Sequence, residues 1–95
     1  MAERLDDQQV EEGLATLAGT WSRAGDALVS ESQHANFEAA LARLNAIAAL
    51  AEQADHHPDL ELHGWNKLRV RLTTHSAGGI TAADLALATA IDELV

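Results

Sequence analysis

The sequence predicts an α+β fold in which a four-stranded antiparallel sheet carries about three helices on one face. Three segments of the 95-residue chain repeat apolar residues at helical spacing, and two pairs of short segments between them alternate apolar and polar residues. The order helix, two strands, helix, two strands, helix is typical of α+β domains. Because 95 residues can bury one core and not two, we expect a single domain over residues 1–95.

A short helix and a hairpin are predicted first. A helix over residues 6–18 would begin at Asp6 or Asp7, end at Gly19 and place one apolar face inward, made of Leu5, Val10, Leu14 and Leu17. Two short strands, residues 21–23 and 27–32, then flank a Gly-Asp turn. These strands are expected to form one half of the sheet.

A long helix is predicted over residues 37–55, because apolar residues recur there at helical spacing and Asn36 can cap its start. Pro58 disfavours helical backbone at the residue before it and is expected to end this helix. His56 and His57 therefore lie at the junction between the helix and the next strand.

The second half of the sheet is predicted from the alternation after Pro58. Apolar and polar residues alternate over residues 60–63 and 67–72, and "GWN" between them supplies a turn. After the turn "SAGG", Thr81 and Asp84 form a capping box that opens the last helix. Its apolar face is expected to comprise Leu87, Ala88, Ile91, Leu94 and Val95.

Composition and charge limit the classes of function. The chain has no cysteine, which excludes disulfides and thiolate chemistry, and its formal net charge of −9 disfavours binding to nucleic acid or to anionic membranes. The basic stripe of Lys67, Arg69 and Arg71 could bind an anionic partner, but a solvated strand face is the favoured interpretation. Neither a signal peptide nor a membrane span is recognisable, so we expect a cytoplasmic protein.

Histidine is the residue that suggests chemistry. Four of the five histidines fall within residues 52–75, and imidazole gives and takes protons near neutral pH, so acid–base catalysis is one interpretation. A metal site made of Glu52, His56, His57 and His75 is the alternative that the residue types leave open. We expect no metal, because adjacent histidines rarely bind one ion.

At these residues the sequence resembles the pterin-4a-carbinolamine dehydratases, also called 4a-hydroxytetrahydrobiopterin dehydratases. The resemblance rests on Glu52, then His56-His57-Pro58, and then Trp65, His75 and Asp84 in the order and spacing of the family signature. The stretches "AEQADHHP", "LTTH" and "GGIT" extend it over residues 51–94. Trp21 stands where the family usually carries a tryptophan.

The resemblance implies a hydro-lyase that dehydrates 4a-hydroxytetrahydrobiopterin to the quinonoid dihydropterin without a cofactor. It implies that His56 and His75 are the principal acid–base pair and that His57 is a third imidazole. Substrate-binding positions carried over from the family are Trp21, Glu52, Asp55, Pro58, Thr74, Ser76 and Ala77. A homodimer or homotetramer is also implied, and the alanine-rich helix over residues 37–55 would allow close packing between subunits.

Three alternatives accompany this interpretation. The chain could be a non-catalytic paralogue of the same fold that serves in dimerisation or assembly. Trp65 could be a packing anchor of the hairpin turn or a wall of the substrate site. His34 and His63 lie outside the signature and receive no role.

Overall fold

A computed structural model describes residues 3–94, which form three α-helices and one four-stranded antiparallel sheet. The helices are α1 (Asp7–Leu14), α2 (Phe37–Ala54) and α3 (Ala82–Asp92), and the strands are β1 (Trp21–Ala24), β2 (Ala27–Gln33), β3 (Asp59–His63) and β4 (Lys67–Leu72). The strands lie in the order β1-β2-β4-β3. The predicted α+β fold class is therefore confirmed, while Val95 of the predicted helical face lies outside the described residues.

The core lies between one face of the sheet and the helices. Alternation along β4 buries Leu68, Val70 and Leu72 and leaves the residues between them on the other face. The buried cluster is completed by apolar side chains from β1, β2, the loop before α3 and all three helices, namely Val10, Trp21, Leu28, Ile47, Ile80, Leu87, Ala88 and Ile91. The opposite face of the sheet remains free for charged side chains.

That outer face carries the basic stripe, in which Arg69 and Arg71 are paired with carboxylates. Arg69 lies between Glu31 of β2 and Glu61 of β3 and donates hydrogen bonds to both carboxylates. The hydrogen bond from Arg69 lowers the pKa of Glu31 below its ordinary value. Arg71 lies 3.6 Å from Asp59. This arrangement agrees with the interpretation of the stripe as a solvated strand face.

The first hairpin follows the prediction with slightly longer strands. Ala24 and Ala27 are paired, so Gly25 and Asp26 form a two-residue loop. Gly25 has a φ of 61°, the positive value that a type II′ turn needs at its first loop position. The Gly-Asp signal therefore located the turn correctly.

The first helix is shorter than predicted: α1 ends at Leu14, and Gly19 does not end it. The N–H groups of Thr16 and Leu17 bond to carbonyls three residues back instead of continuing the helix. The Leu17 side chain still packs against the core, so the apolar spacing was read correctly although the helix was not. Gly13 allows a close approach to α3, since a Cβ there would lie 2.5 Å from a methyl carbon of Leu85.

The long helix α2 begins as predicted, with the Asn36 side chain accepting a hydrogen bond from the N–H of Ala39. Its end has a different cause from the one predicted. Asp55 adopts the left-handed conformation with φ 50° and ψ 43°, so the helix stops at Ala54 before the restriction imposed by Pro58 takes effect. Among residues 3–94, no helix is both long and apolar enough to cross a membrane.

Candidate active site

The histidine pair is placed by the C-terminus of α2. The reversal at Asp55 is closed by a hydrogen bond from the N–H of His56 to the carbonyl of Ala51, the 6→1 bond of a Schellman motif. Asp55 adopts this conformation without being glycine, which is uncommon outside the residues Asn and Asp. The two histidines therefore leave the helix in a fixed direction, immediately before β3.

The third histidine reaches the same end of the sheet through the antiparallel hairpin. Asp59 at the start of β3 pairs with Arg71 near the end of β4, so the chain after β4 lies beside the chain before β3. His75 begins a single 3₁₀ turn, His75–Ala77, just after β4. The predicted juxtaposition of this turn with the histidine pair is consistent with the sheet topology.

His56 contacts a buried carboxylate. Its Nε2 lies 2.5 Å from Oδ1 of Asp84, a residue of the first turn of α3 that has no exposed surface. The His56 side chain is itself 16% exposed. A buried carboxylate bonded to an imidazole fixes both the position and the orientation of the ring.

Two threonines hold Asp84 in turn. The hydroxyl of Thr74 and the backbone N–H of Thr81 each donate to Oδ2 of Asp84 at 2.8 Å. The hydroxyls of Thr74 and Thr81 lie 2.9 Å apart, and both threonines are buried. The backbone of Thr74 also pairs in both directions with Gly79, which closes the turn that carries His75. One buried network therefore joins His56 to the chain segment next to His75.

The second histidine has a different environment. Nε2 of His57 makes a short hydrogen bond to Oε2 of Glu52, which precedes it in the last turns of α2. Both side chains are exposed, His57 by 59% and Glu52 by 76%. The adjacent histidines thus contact separate carboxylates, one inside the protein and one on its surface.

The remaining predicted site residues surround this end of the sheet. Asp55, His75 and Ser76 are exposed, whereas Pro58 and Ala77 are half-buried. The strand pairing places the turn His75–Ala77 at the end of the sheet where β3 begins, next to the segment that carries Asp55 and Pro58. Their contacts with a substrate stay predictions.

A groove of about 370 Å³ opens beside His56 between α2 and α3. Its walls are largely small and apolar, formed by Leu50, Gln53, Ala54, His56, Ala83, Ala86, Leu87 and Ala90. His56 is therefore shared by this groove and by the end of the sheet that carries the other predicted site residues.

The tryptophans lie away from the histidine pair. Trp21 belongs to β1, three strands from β3, and at about 4.8 Å per strand it is some 14 Å from Leu60 in the same row of the sheet. Its indole N–H donates to Asp92 at 2.8 Å, and the residue is 7% exposed. The role of Trp21 in substrate binding stays a prediction. Within residues 3–94, Trp21 makes no contact with the histidine pair that would support it.

Trp65 lies at the other end of β3 from the histidines, in the three-residue loop of the second hairpin. It has a φ of 61° and is 63% exposed. It is therefore not the packing anchor that the sequence suggested as one alternative.

The metal alternative can be compared with the positions of the side chains. Within residues 3–94, no group of three or more His, Cys, Asp or Glu side chains is arranged to hold a metal ion. Nε2 of His56 and Nε2 of His57 instead contact Asp84 and Glu52 separately.

The sequence predicted Thr81 and Asp84 as a capping box and placed Asp84 in the family signature. It predicted no role in the site for either residue. The capping box is present as predicted. The contact of Asp84 with His56 spans 28 residues and has no local sequence signal. Only the aspartate at the end of the family signature pointed to it.

The fold and the site together define a class of protein, a small α+β domain with histidine–carboxylate pairs at one end of an antiparallel sheet. Comparison with known proteins identifies the family within this class. The family described as "Pterin 4 alpha carbinolamine dehydratase" matches residues 3–94. A Roseiflexus sp. (strain RS-1) protein is 45% identical over 95 residues, covering all of both chains, and one from Thermomicrobium roseum is 47% identical over 91 residues, covering 96% of each; both are named "Putative pterin-4-alpha-carbinolamine dehydratase".

Two solved structures share the fold. A Brucella melitensis protein described as a transcriptional coactivator/pterin dehydratase superposes with a TM-score of 0.86 at 28% identity, covering 94% of this chain and 95% of its own. A pterin dehydratase-like protein described as a RuBisCO assembly factor in the alpha-carboxysome superposes with a TM-score of 0.63 at 25% identity, covering 77% and 86%. The chain belongs to the pterin-4a-carbinolamine dehydratase family.

Proposed function

We propose that this protein is a hydro-lyase that dehydrates 4a-hydroxytetrahydrobiopterin to quinonoid dihydropterin and water in tetrahydrobiopterin recycling. The observation that carries the proposal is the pair of imidazoles at the end of α2, each with its Nε2 against a carboxylate. Such pairs hold imidazoles in place for proton transfer. Family membership supports the same reaction.

The reaction requires two proton movements on one ring. A general acid protonates the hydroxyl on C4a as the C–O bond breaks, and a general base removes the proton on N5 as the C4a–N5 double bond forms. One molecule of water leaves, and no electron is gained or lost. Imidazoles can perform both steps near neutral pH, so the reaction needs no cofactor.

In this proposal His56 and His75 are the principal acid–base pair, and His57 is a third imidazole that orients or protonates the leaving hydroxyl. The network through Thr74 supports the pairing, because it links the residue before His75 to the carboxylate that holds His56. Glu52 holds His57 and leaves carboxylate capacity for a donor of the substrate.

The substrate would lie against the exposed end of the sheet that these histidines share. Asp55, Pro58 and the backbone of Thr74, Ser76 and Ala77 would line it. The half-buried Pro58 and Ala77 offer apolar surface, and exposed Asp55 offers an acceptor for the amino group of a pterin.

The test is an assay with chemically generated 4a-hydroxytetrahydropterin, followed by the absorbance of the quinonoid product. We expect the purified protein to accelerate dehydration over buffer and the His56→Ala variant to lose most of that acceleration. His34→Ala is the matched control, because His34 lies outside the site and should retain full activity. A wild-type rate equal to that of buffer would refute the proposal.

The runner-up function is that of a non-catalytic assembly factor or dimerisation partner. The structural likeness to the RuBisCO assembly factor motivates it. The exposed pair of His57 and Glu52 favours the enzyme, because a surface contact of this kind adds little stability whereas an accessible imidazole suits proton transfer. An inactive protein that forms a defined complex with a partner protein would reverse this ranking.

We also propose that the protein acts as a homodimer or homotetramer in the cytoplasm. Phe37 and Leu41 lie one turn apart on α2 and are 52% and 38% exposed, so they offer apolar surface to a second copy. Light scattering of the purified protein would decide the oligomeric state, and a monomer at micromolar concentration would contradict the proposal.

A further inference from the structure

We infer that Asp84, held by Thr74, fixes the Nε2–H tautomer of His56 and thereby makes Nδ1 the nitrogen of His56 that exchanges a proton with the substrate. The second part of this inference rests on the proposed dehydratase function. The first part concerns the folded protein alone. Asp84 is thus a positioning residue that acts through His56.

The direction of each hydrogen bond follows from the donors available. The N–H of Thr81 can only donate, and it reaches Oδ2 of Asp84 at 2.8 Å. The hydroxyl of Thr74 also donates to Oδ2, so the 2.9 Å contact between the two hydroxyls is donated by Thr81. The oxygen of Thr81 accepts in turn from the N–H of Ala83 at 3.2 Å. The hydrogens of the two threonine hydroxyls are therefore placed.

Asp84 is an acceptor at both of its oxygens. Two donors converge on Oδ2, and the side chain lies in the first turn of α3, where carboxylate acceptors are favoured. A carboxylate has no hydrogen to donate from Oδ1, so Nε2 of His56 carries the hydrogen in the 2.5 Å contact.

In its neutral form the His56 ring then has one acceptor left, its Nδ1. Nδ1 makes no hydrogen bond to any atom of residues 3–94. The His56 side chain keeps 16% of its surface exposed, next to the exposed residues Asp55 and His57, which leaves it open to a ligand at this end of the sheet. A proton taken from the substrate would arrive at Nδ1, and the resulting imidazolium would remain bonded to Asp84 through Nε2.

Asp84→Asn tests this directly. The asparagine oxygen is expected to keep the two bonds at the Oδ2 position, so its NH₂ group would face His56 and donate to Nε2. His56 would then adopt the Nδ1–H tautomer. An aspartate-to-asparagine change in a serine protease switches the tautomer of the catalytic histidine in the same way. Asp6→Asn is the matched control, since Asp6 belongs to the capping box of α1 and not to this network.

The first measurement is ¹⁵N NMR of the histidine rings without substrate. We expect the Nε2–H tautomer of His56 in the wild type and in Asp6→Asn, and the Nδ1–H tautomer in Asp84→Asn. Nδ1–H in the wild type, or an unchanged tautomer in folded Asp84→Asn, would overturn the first part of the inference. Because no substrate is present, this result does not depend on the dehydratase function.

The second measurement is the kinetics of dehydration. We expect kcat to fall by about 100-fold or more in Asp84→Asn with KM changed less than about 3-fold, because Asp84 acts through His56 and not on the substrate.

If Asp84→Asn does not fold, Thr74→Val is measured in its place. We expect its kcat to be about 10-fold lower than that of the wild type, and we expect Thr74→Ser to restore the wild-type kcat. Thr73→Val is its control, since the Thr73 hydroxyl bonds to Asp26 instead. A folded Asp84→Asn or Thr74→Val with wild-type kcat would overturn the role of Nδ1, whereas an inactive wild type would refute the function and leave the tautomer result standing.

Discussion

Two neighbouring histidines in this protein have the same type of partner and opposite surroundings. His56 contacts Asp84, which is completely buried and held by two further donors. His57 contacts Glu52 on the surface, where both side chains are largely exposed. An ion pair or hydrogen bond is worth little in water and much more in a dry, fully paired site, so the two contacts differ in strength and rigidity.

The difference explains how a doubled histidine can serve two purposes. A ring locked by a buried network keeps one geometry through a catalytic cycle, as proton transfer requires. A ring on the surface can reorient toward a substrate group. The comparison therefore predicts that changes at His56 and Asp84 have large effects and that changes at His57 and Glu52 have smaller ones.

The largest expected effect is on activity. His56→Ala should lower kcat for dehydration of 4a-hydroxytetrahydropterin by about 100-fold or more, because it removes a group assigned to general acid–base catalysis. His57→Ala should lower it by about 10-fold. Both values come from the same absorbance assay, and an equal loss in the two variants would break the comparison.

The next effect is on stability. Asp84→Ala leaves the N–H of Thr81, the hydroxyl of Thr74 and the ring of His56 without their acceptor, so we expect a loss of about 3 kcal/mol in the free energy of unfolding. Glu52→Ala should change it by no more than about 0.5 kcal/mol, since its contact is exposed. Urea denaturation of the two variants measures the difference, and a comparable loss in both would show that burial does not separate them.

The smallest effect concerns an exposed pair away from the histidines, Glu31 with Arg69. The hydrogen bond from Arg69 holds the pKa of Glu31 below its ordinary value of 4.5. The lowered pKa means that the pair stabilises the folded protein above about pH 4.5 and that this contribution is lost as the pH falls through the folded pKa.

Wild type should therefore exceed Glu31→Gln in urea midpoint at pH 6 and match it near pH 3. Glu11→Gln on α1 is the control, because Glu11 makes no ion pair within residues 3–94. A difference between wild type and Glu31→Gln that grows toward low pH would contradict the assigned shift.

Local signals were enough to predict most of the fold. The alternation along β4, the Asn36 cap of α2 and the Thr81 capping box each depend on residues close in sequence, and each is confirmed. The predicted end of α1 was wrong. Leu17 has the spacing of a helical core residue, but it reaches the core from a turn that follows the helix. The predicted cause of the end of α2 was also wrong. Asp55 ends the helix in the left-handed conformation, and an aspartate in the sequence indicates a helix end less strongly than a glycine or a proline does.

For the candidate site, the sequence supplies residues whose roles stay predictions, and it does not supply the bonds between them. The family signature named His56, His57 and His75, and the hairpin topology explains why they share one end of the sheet. The bonds from Asp84 to His56 and to Thr74 join separate elements, and only the packing of α3 against α2 and against the segment after β4 creates them. Neither the periodicity nor the spacing of the sequence predicts that His56 is half-buried and that His57 is exposed.

The central claim is that His56 and His75 act on one pterin ring, and a crystal structure with a bound dihydropterin tests it most directly. The account predicts the ring at the end of the sheet beyond β4, with Nδ1 of His56 and the imidazole of His75 both within hydrogen-bond reach of the C4a–N5 region. A dihydropterin bound elsewhere, or one that contacts His57 while His56 Nδ1 and His75 remain out of reach, would contradict it.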